Sequence, residues 1–250
     1  MNTEDTGPST TKISDRNAVR ETIPEEGIKP ALARVLATGR EWFGGNRFEG
    51  VTAAMAAAIS PIRKEMGREP ILLDFGCGNL AISSELRLKG LVSTVWGIDT
   101  YAPPSDDADK YAHYIQLGAG RDIPFPDQHF DLAITVDVLH HAGIEEAVHA
   151  LRELARVSRY VLVKDHFEYG KVTRHLLRAA DWYGNYAYGV NVPDRYYDTS
   201  LWKSTIDAAG LREMKRTCPV QIHKGLFGAI LPARCHFTSL LTGSDGRSSP

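Results

Sequence analysis

The chain has 250 residues, 43% of them hydrophobic and 24% charged, which suffices for one sizeable core, as a single α/β domain or a domain with a small cap. A formal net charge of −2 supplies no concentrated basic field for a phosphate backbone, so a nucleic-acid partner is disfavoured. The three scattered cysteines, Cys77, Cys218 and Cys235, exclude a disulfide framework or zinc cluster and fit a reducing cytoplasm. No apolar run reaches the roughly 18 residues of a membrane span, and the polar start lacks the apolar centre of a secretory signal.

In chain order, residues 1–26 are rich in Thr, Ser, Asp, Glu and Arg and read as a disordered arm. Helical spacing over Ile28–Phe43 and Phe48–Met66, divided by Gly44, Gly45 and Asn46, predicts two cap helices within 27–68. From 69 to 166 the pattern changes to short apolar strands alternating with amphipathic segments: ILLDF, a helix to Lys89, TVWGID, a helical or loop stretch, YIQLGAG, FDLAITVD, a helix over Ile144–Val157, and YVLVKDH. Such alternation argues for a parallel sheet built by right-handed crossovers. An aromatic, partly helical insert spans 167–200; a helix (TSLWKSTIDAAGL) and a pair of strands (LREMKRTCPVQI and ARCHFTSLL) occupy 201–241, and residues 242–250 read as a disordered tail.

The stretch ILLDFGCGNLAISSEL, Ile71–Leu86, sets a strand, a glycine turn and a helix start at the first βα junction. Glycines there admit a ligand close to the main chain, and the turn and helix amides are donors. The GCGNLA segment also satisfies the dinucleotide pattern in its Ala-ended form. Asp74 decides between the two ligands. A carboxylate at the mouth of the turn repels a pyrophosphate, whereas S-adenosylmethionine has no phosphate and carries an ammonium and a sulfonium.

With LLDFGCGNL, VWGIDT, RDIPFPDQHFDLAITVDVLHH and ALRELARVSRYVLVKDH in this order, the chain resembles the class I S-adenosylmethionine-dependent methyltransferases over roughly Ile71 to His166, closest to the subgroup like ubiquinone and menaquinone C-methyltransferases. VSRY stands where that family has a Pro-Gly-Gly turn. The resemblance implies a doubly wound α/β fold: a mostly parallel, seven-stranded Rossmann-like sheet with an antiparallel terminal strand, a helical N-terminal and insert cap, and a methyltransferase domain over 27–241. It assigns Gly76, Cys77 and Gly78 to backbone contact with the cofactor, Asp74 to its ammonium end, and Asp99, followed by Thr100, to the ribose hydroxyls. It further gives Asp122 to the adenine amino group, Ile123 to packing on the ring, and Asp137 to the side of the pocket near the methionine moiety. A vicinal diol suits a carboxylate with two acceptor oxygens. A helix cap at Asp99, a turn at Asp122 and a solvated strand end at Asp137 are the plainer alternatives.

Methyl transfer from a sulfonium needs positioning more than acid-base power. Strand ends facing the cofactor supply candidate bases at His166, His141 and Asp165, with His140 read as structural. Alternation along a strand lets only one of Asp165 and His166 point easily into the pocket. No metal is expected. A catechol-type site, with Asp137, Asp165 and His166 around a divalent ion, is the alternative chemistry. Trp42, Phe43, Tyr169, Trp182, Tyr186 and Asn191 are expected to line a mostly apolar acceptor site. The partner expected is a small-molecule methyl acceptor, with O, N or C as the methylated atom and a homodimer left open. A Rossmann protein that binds S-adenosylmethionine without transferring methyl is the rival function. A motif of the Asn-Pro-Pro-Tyr kind after the fourth strand, which would hold an exocyclic amine, is absent.

Overall fold

Apolar runs only four to nine residues long, bounded by glycine and charged turns, cannot close a helix's worth of buried face and instead pair as strands. The computed structural model describes residues 30–101, 112–185 and 192–243, and their side chains apart from those of 30–46, 184 and 185. The strands are β1 (Leu72–Phe75), β2 (Val95–Asp99), β3 (Ala112–Gln116), β4 (Phe130–Val136), β5 (Ser158–His166), β6 (Leu211–Thr217) and β7 (His236–Gly243). They form one sheet in the order β3-β2-β1-β4-β5-β7-β6. β1 to β5 pair in parallel, and β7 runs antiparallel to both β5 and β6. The expected seven-stranded sheet with one antiparallel strand is the one observed. β1, β4 and β5 are buried almost throughout, because helices cover both faces of a parallel sheet.

The helices are α1 (Pro30–Met66), α2 (Ala81–Leu88), α3 (Ile144–Val157), α4 (Lys171–Asn185), α5 (Thr199–Ala208) and the short α6 (Gly225–Ile230). α3 buries Ala147, Val148, Leu151, Leu154 and Val157, a stripe at helical spacing. With Trp202 and Ile206 of α5 it packs on Leu73, Val161 and Val163. On the other face, Val51, Met55 and Ile59 of α1 pack with Leu86 of α2 on Leu72, Leu132, Ile134 and Leu162. Asp198 starts α5 by accepting from the amides of Ser200 (2.9 Å) and Leu201 (2.8 Å), which satisfies amides that the helix itself leaves open.

Three expectations need correcting. The two cap helices are one: α1 runs through Gly44–Asn46 without a break, since a glycine costs a helix only about 1 kcal/mol against alanine and packing outweighs it. The strand read through Ile222 stops at Thr217, and α6 follows in the stretch between the two expected strands. β7 also takes in Thr242 and Gly243, the first two residues of the expected tail. The arm over 1–26, the stretch 102–111 and the tail from 244 lie outside the described residues.

Strand order places β1 between β2 and β4, so the chain leaves β1 toward one side of the sheet and later returns on the other. In open α/β sheets, ligands bind at the carboxyl ends of the strands at such a switch point. The turn after β1 and the ends of β4 and β5 meet there.

Candidate active site

The turn after β1 is built by positive backbone angles at Gly76 (φ 73°), Gly78 (φ 53°) and Leu80 (φ 62°). Its glycines have different reasons to be glycine. A Cβ on Gly76 would collide with the Val138 side chain, and one on Gly97 of β2 with Leu80 and the Cys77 sulfur. Around Gly78 a Cβ would meet nothing within 4 Å. Gly78 is therefore the bare position facing open space, while Gly76 and Gly97 serve close packing. The expected backbone donors are differently employed: the amides of Gly76 (2.8 Å) and Cys77 (3.2 Å) donate to the Ile98 carbonyl, and that of Gly78 to Asp99 Oδ2 (2.7 Å). Closing the turn onto β2 uses them.

Asp74 is buried beneath this turn. Burial raises its carboxyl to about 7, a bond from Ser83 acts the other way, and the charge of Asp99 adds to the rise. Among the described residues no cation offsets it. Asp99, at the end of β2, accepts from Gly78 and, through Oδ1, from the Tyr101 amide (3.2 Å). Thr100 beside it is exposed. Two carboxyls thus meet at this turn, Asp99 bonded to the open Gly78 and Asp74 beneath, an arrangement that favours a positively charged ligand. Further along, the Asp122 side chain is 83% exposed, 3.5 Å from His149. Ile123 is buried against the core, its amide donating to Glu153 (2.8 Å) and its carbonyl accepting from Arg156 (2.8 Å).

The ends of β4 and β5 carry a buried polar cluster. Asp137, at φ 56°, accepts from Lys164 Nζ (2.5 Å) and from Arg47 of α1 (2.5 Å), with His166 Nδ1 at 3.4 Å. Burial opposes its ionisation, but Lys164, His166 and Arg47 hold its carboxyl well below the usual range. Alternation along β5 sends Lys164 and His166 toward α1 and Asp165 to the opposite face. There Asp165 accepts from His140 Nδ1 (2.6 Å) and the His166 amide (2.7 Å). His140 stands between Asp165 and Asp181, whose Oδ2 lies 3.2 Å from its other ring nitrogen and accepts from the Tyr196 hydroxyl (2.5 Å). Against the effect of burial, the two carboxylates raise His140 to about 10. It bridges the two carboxylates. Asp165, held low by His140 despite its burial, is locked in that pair and is a poor base.

His166 differs. Burial and the neighbouring Lys164 lower it below the ordinary histidine value, and its Nδ1 has no hydrogen-bond partner among the described residues. Its cross-strand neighbour is His236 of β7, with ring centroids 4.9 Å apart, and His223 lies 5.4 Å from His236. His141 is half-buried, its ring 4.1 Å from that of His140. His223, His236, Arg47 and Asp181 were missed by sequence reasoning. They come from segments far apart in the chain, and no spacing rule joins them.

Among the described residues, His140, Asp165 and His166, and separately His140, His141 and Asp181, are close enough to surround an ion. The alternative metal trio of Asp137, Asp165 and His166 is not such a group: His166 Nδ1 lies 3.4 Å from Asp137 and 3.6 Å from Asp165, but Lys164 and Arg47 already fill Asp137 and would repel a cation. Of the aromatics expected at the acceptor site, Tyr169 and Trp182 are about half exposed, and Tyr169 lies by Cys218 and Arg234. Tyr186, Asn191 and the side chains of Trp42 and Phe43 lie outside the described residues. Tyr196 and Tyr197 are core residues.

Residues 73–160 match the family described as a methyltransferase domain. Over 88 residues the chain is 31% identical to the probable tRNA methyltransferase 9B of Bos taurus, covering 35% of this chain and 18% of that protein's length. A chain from the Haloferax volcanii complex that contains the Trm112 methyltransferase activator superposes with a TM-score of 0.57 at 14% identity, covering 87% of this chain and 99% of the other. The Burkholderia thailandensis 1,6-didemethyltoxoflavin-N1-methyltransferase, solved with its acceptor and S-adenosylhomocysteine, gives 0.51 at 14% identity, covering 89% and 94%. These structures share the fold. Among the described residues no helix is long and apolar enough to cross a membrane.

Proposed function

Residues 73–160 form a class I, Rossmann-like methyltransferase domain of the S-adenosylmethionine-dependent kind, and on that premise we propose that the chain methylates a small, mostly apolar or aromatic metabolite. The observation that carries this reading is the pair of carboxyls, Asp74 and Asp99, at the open turn after β1, with no cation offsetting Asp74 among the described residues. Asp74 takes the ammonium end of the cofactor, Asp99 its ribose hydroxyls, and Gly78 lets the ligand approach the main chain. Thr100 joins Asp99 on the ribose side, and Asp122 and Ile123 are the adenine-side candidates. When bound, S-adenosylmethionine supplies a methyl group on a sulfonium that leaves as a neutral thioether. The chain's part is to exclude water, hold the acceptor in line and take its proton. His166 is the base in this reading, because it is buried, burial and Lys164 lower its pKa, and its Nδ1 makes no hydrogen bond among the described residues. His141 is the runner-up.

Asp99→Ala tests the cofactor assignment. Removing two hydrogen bonds to a charged acceptor, each worth about 1.5–3 kcal/mol, should weaken S-adenosylmethionine binding roughly a hundredfold or more in calorimetry. Unchanged affinity in a folded variant contradicts it.

A further inference from the structure

Both ring nitrogens of His236 are buried and have no hydrogen-bond partner among the described residues. A buried imidazole nitrogen that makes no bond within the protein is costly, which marks His236 as a place where a bound group can hydrogen-bond. The ring is not an isolated core histidine: it pairs across β5 and β7 with His166, whose Nδ1 is also open. The pair adjoins the cofactor turn through Asp137, 3.4 Å from His166, and Val138, which packs against Gly76. The charge around it is informative. Burial first, then the fully buried Lys164 and the neighbouring His166 and His223, disfavours protonation of His236, opposed by Asp137, whose carboxylate is itself paired with Lys164 and Arg47. Such a field repels an ammonium or a metal ion and welcomes a group that accepts hydrogen bonds or carries negative charge.

We propose that His236 is an acceptor-binding residue that donates a hydrogen bond to an acidic oxygen of the methyl acceptor, a phenol, enol or carboxylic acid, beside His166 at the end of β5. This deepens the methyltransferase reading and rests on it for the identity of the bound molecule. It selects oxygen acids over amines of the same shape. One His236 nitrogen donates to the oxyanion, while His166 takes the proton the acceptor loses, so charge and proton are both accounted for. His236 positions the acceptor without touching the cofactor.

The test uses 4-nitrophenol as the probe, because its ionised form absorbs visibly. The dye is titrated into the full chain, with and without S-adenosylhomocysteine, at a pH where the free dye is mainly protonated. The expected result is a bound dye that absorbs as the phenolate, with 4-nitroaniline binding at least tenfold more weakly. His236→Phe should lose at least tenfold in dye affinity while its S-adenosylhomocysteine affinity stays within twofold. Should that variant not fold, the ring ¹⁵N resonances of His236 in the wild type must move on adding the dye. Dye bound as neutral phenol, nitroaniline bound as tightly as nitrophenol, no dye binding, or unmoved His236 resonances would overturn the proposal. Phenolate binding without any S-adenosylhomocysteine binding leaves the oxyanion site standing and removes the methyltransferase reading instead.

Discussion

At the scale of single residues the site is a matter of where charge is left over. Burial, with no offsetting cation among the described residues, raises the Asp74 carboxyl to about 7, and a cationic ligand binds best when it is ionised. S-adenosylmethionine affinity should therefore rise several-fold between pH 6 and 7.5 in calorimetry, and Asp74→Asn should flatten that rise. A wild type with no pH dependence in that range would mean that Asp74 does not face the cofactor. His166→Ala should lower turnover by roughly 10²–10⁴-fold with cofactor affinity near wild type, since a base acts on the transition state. The wild-type rate should climb with pH through a value below the ordinary histidine pKa of about 6.5, because burial and Lys164 lower that of His166. Normal turnover in the variant would move the role to His141. Asp74, Asp99 and the glycine turn were legible in the sequence because one strand, one turn and the next strand end bring them together. The Lys164–Asp137–Arg47 group was not, since it needs a residue from α1, ninety positions before Asp137, to arrive.

At the scale of elements, α1 is the piece whose placement matters most and whose form the sequence concealed. Gly44 and Gly45 read as a breaker, yet the helix continues, and the glycine that decides its position is Gly50. A side chain there would strike the Ile222 carbonyl, so this glycine lets α1 settle on the segment that leads to His223. It thereby delivers Arg47 to Asp137. Gly50→Val should lower the melting temperature by several degrees, from an overpacking cost of about 1–3 kcal/mol. It should also weaken turnover beyond what stability alone explains. A variant as stable as the wild type would show that α1 does not pack there. α3, by contrast, was legible to the residue, because its apolar stripe, the Gly143 before it and the strand after it all agree. The turn from β6 to β7 was not. Its short helix α6 buries none of its six residues fully, so it leaves no periodic trace.

At the scale of the whole molecule, the sheet order brings two chemically different half-sites to one switch point. The β1–β2 side carries unbalanced acids suited to a cationic cofactor. The β4–β5–β7 side carries histidines in the field of Lys164. Fold and cofactor were readable in advance because local strand-turn-helix patterns encode them. The acceptor was not, because the residues proposed to meet it come from α1, the ends of β4 and β5, and β7. The most direct measurement of the central claim is release of S-adenosylhomocysteine from S-adenosylmethionine, in the presence of EDTA, with a panel of phenols, enols, carboxylic acids, amines and tRNA offered as acceptors. The account predicts product only when a small oxygen acid is present, at a rate that chelation leaves unchanged. Product formed with tRNA alone, product formed with no acceptor, or activity lost to EDTA and restored by magnesium would contradict it.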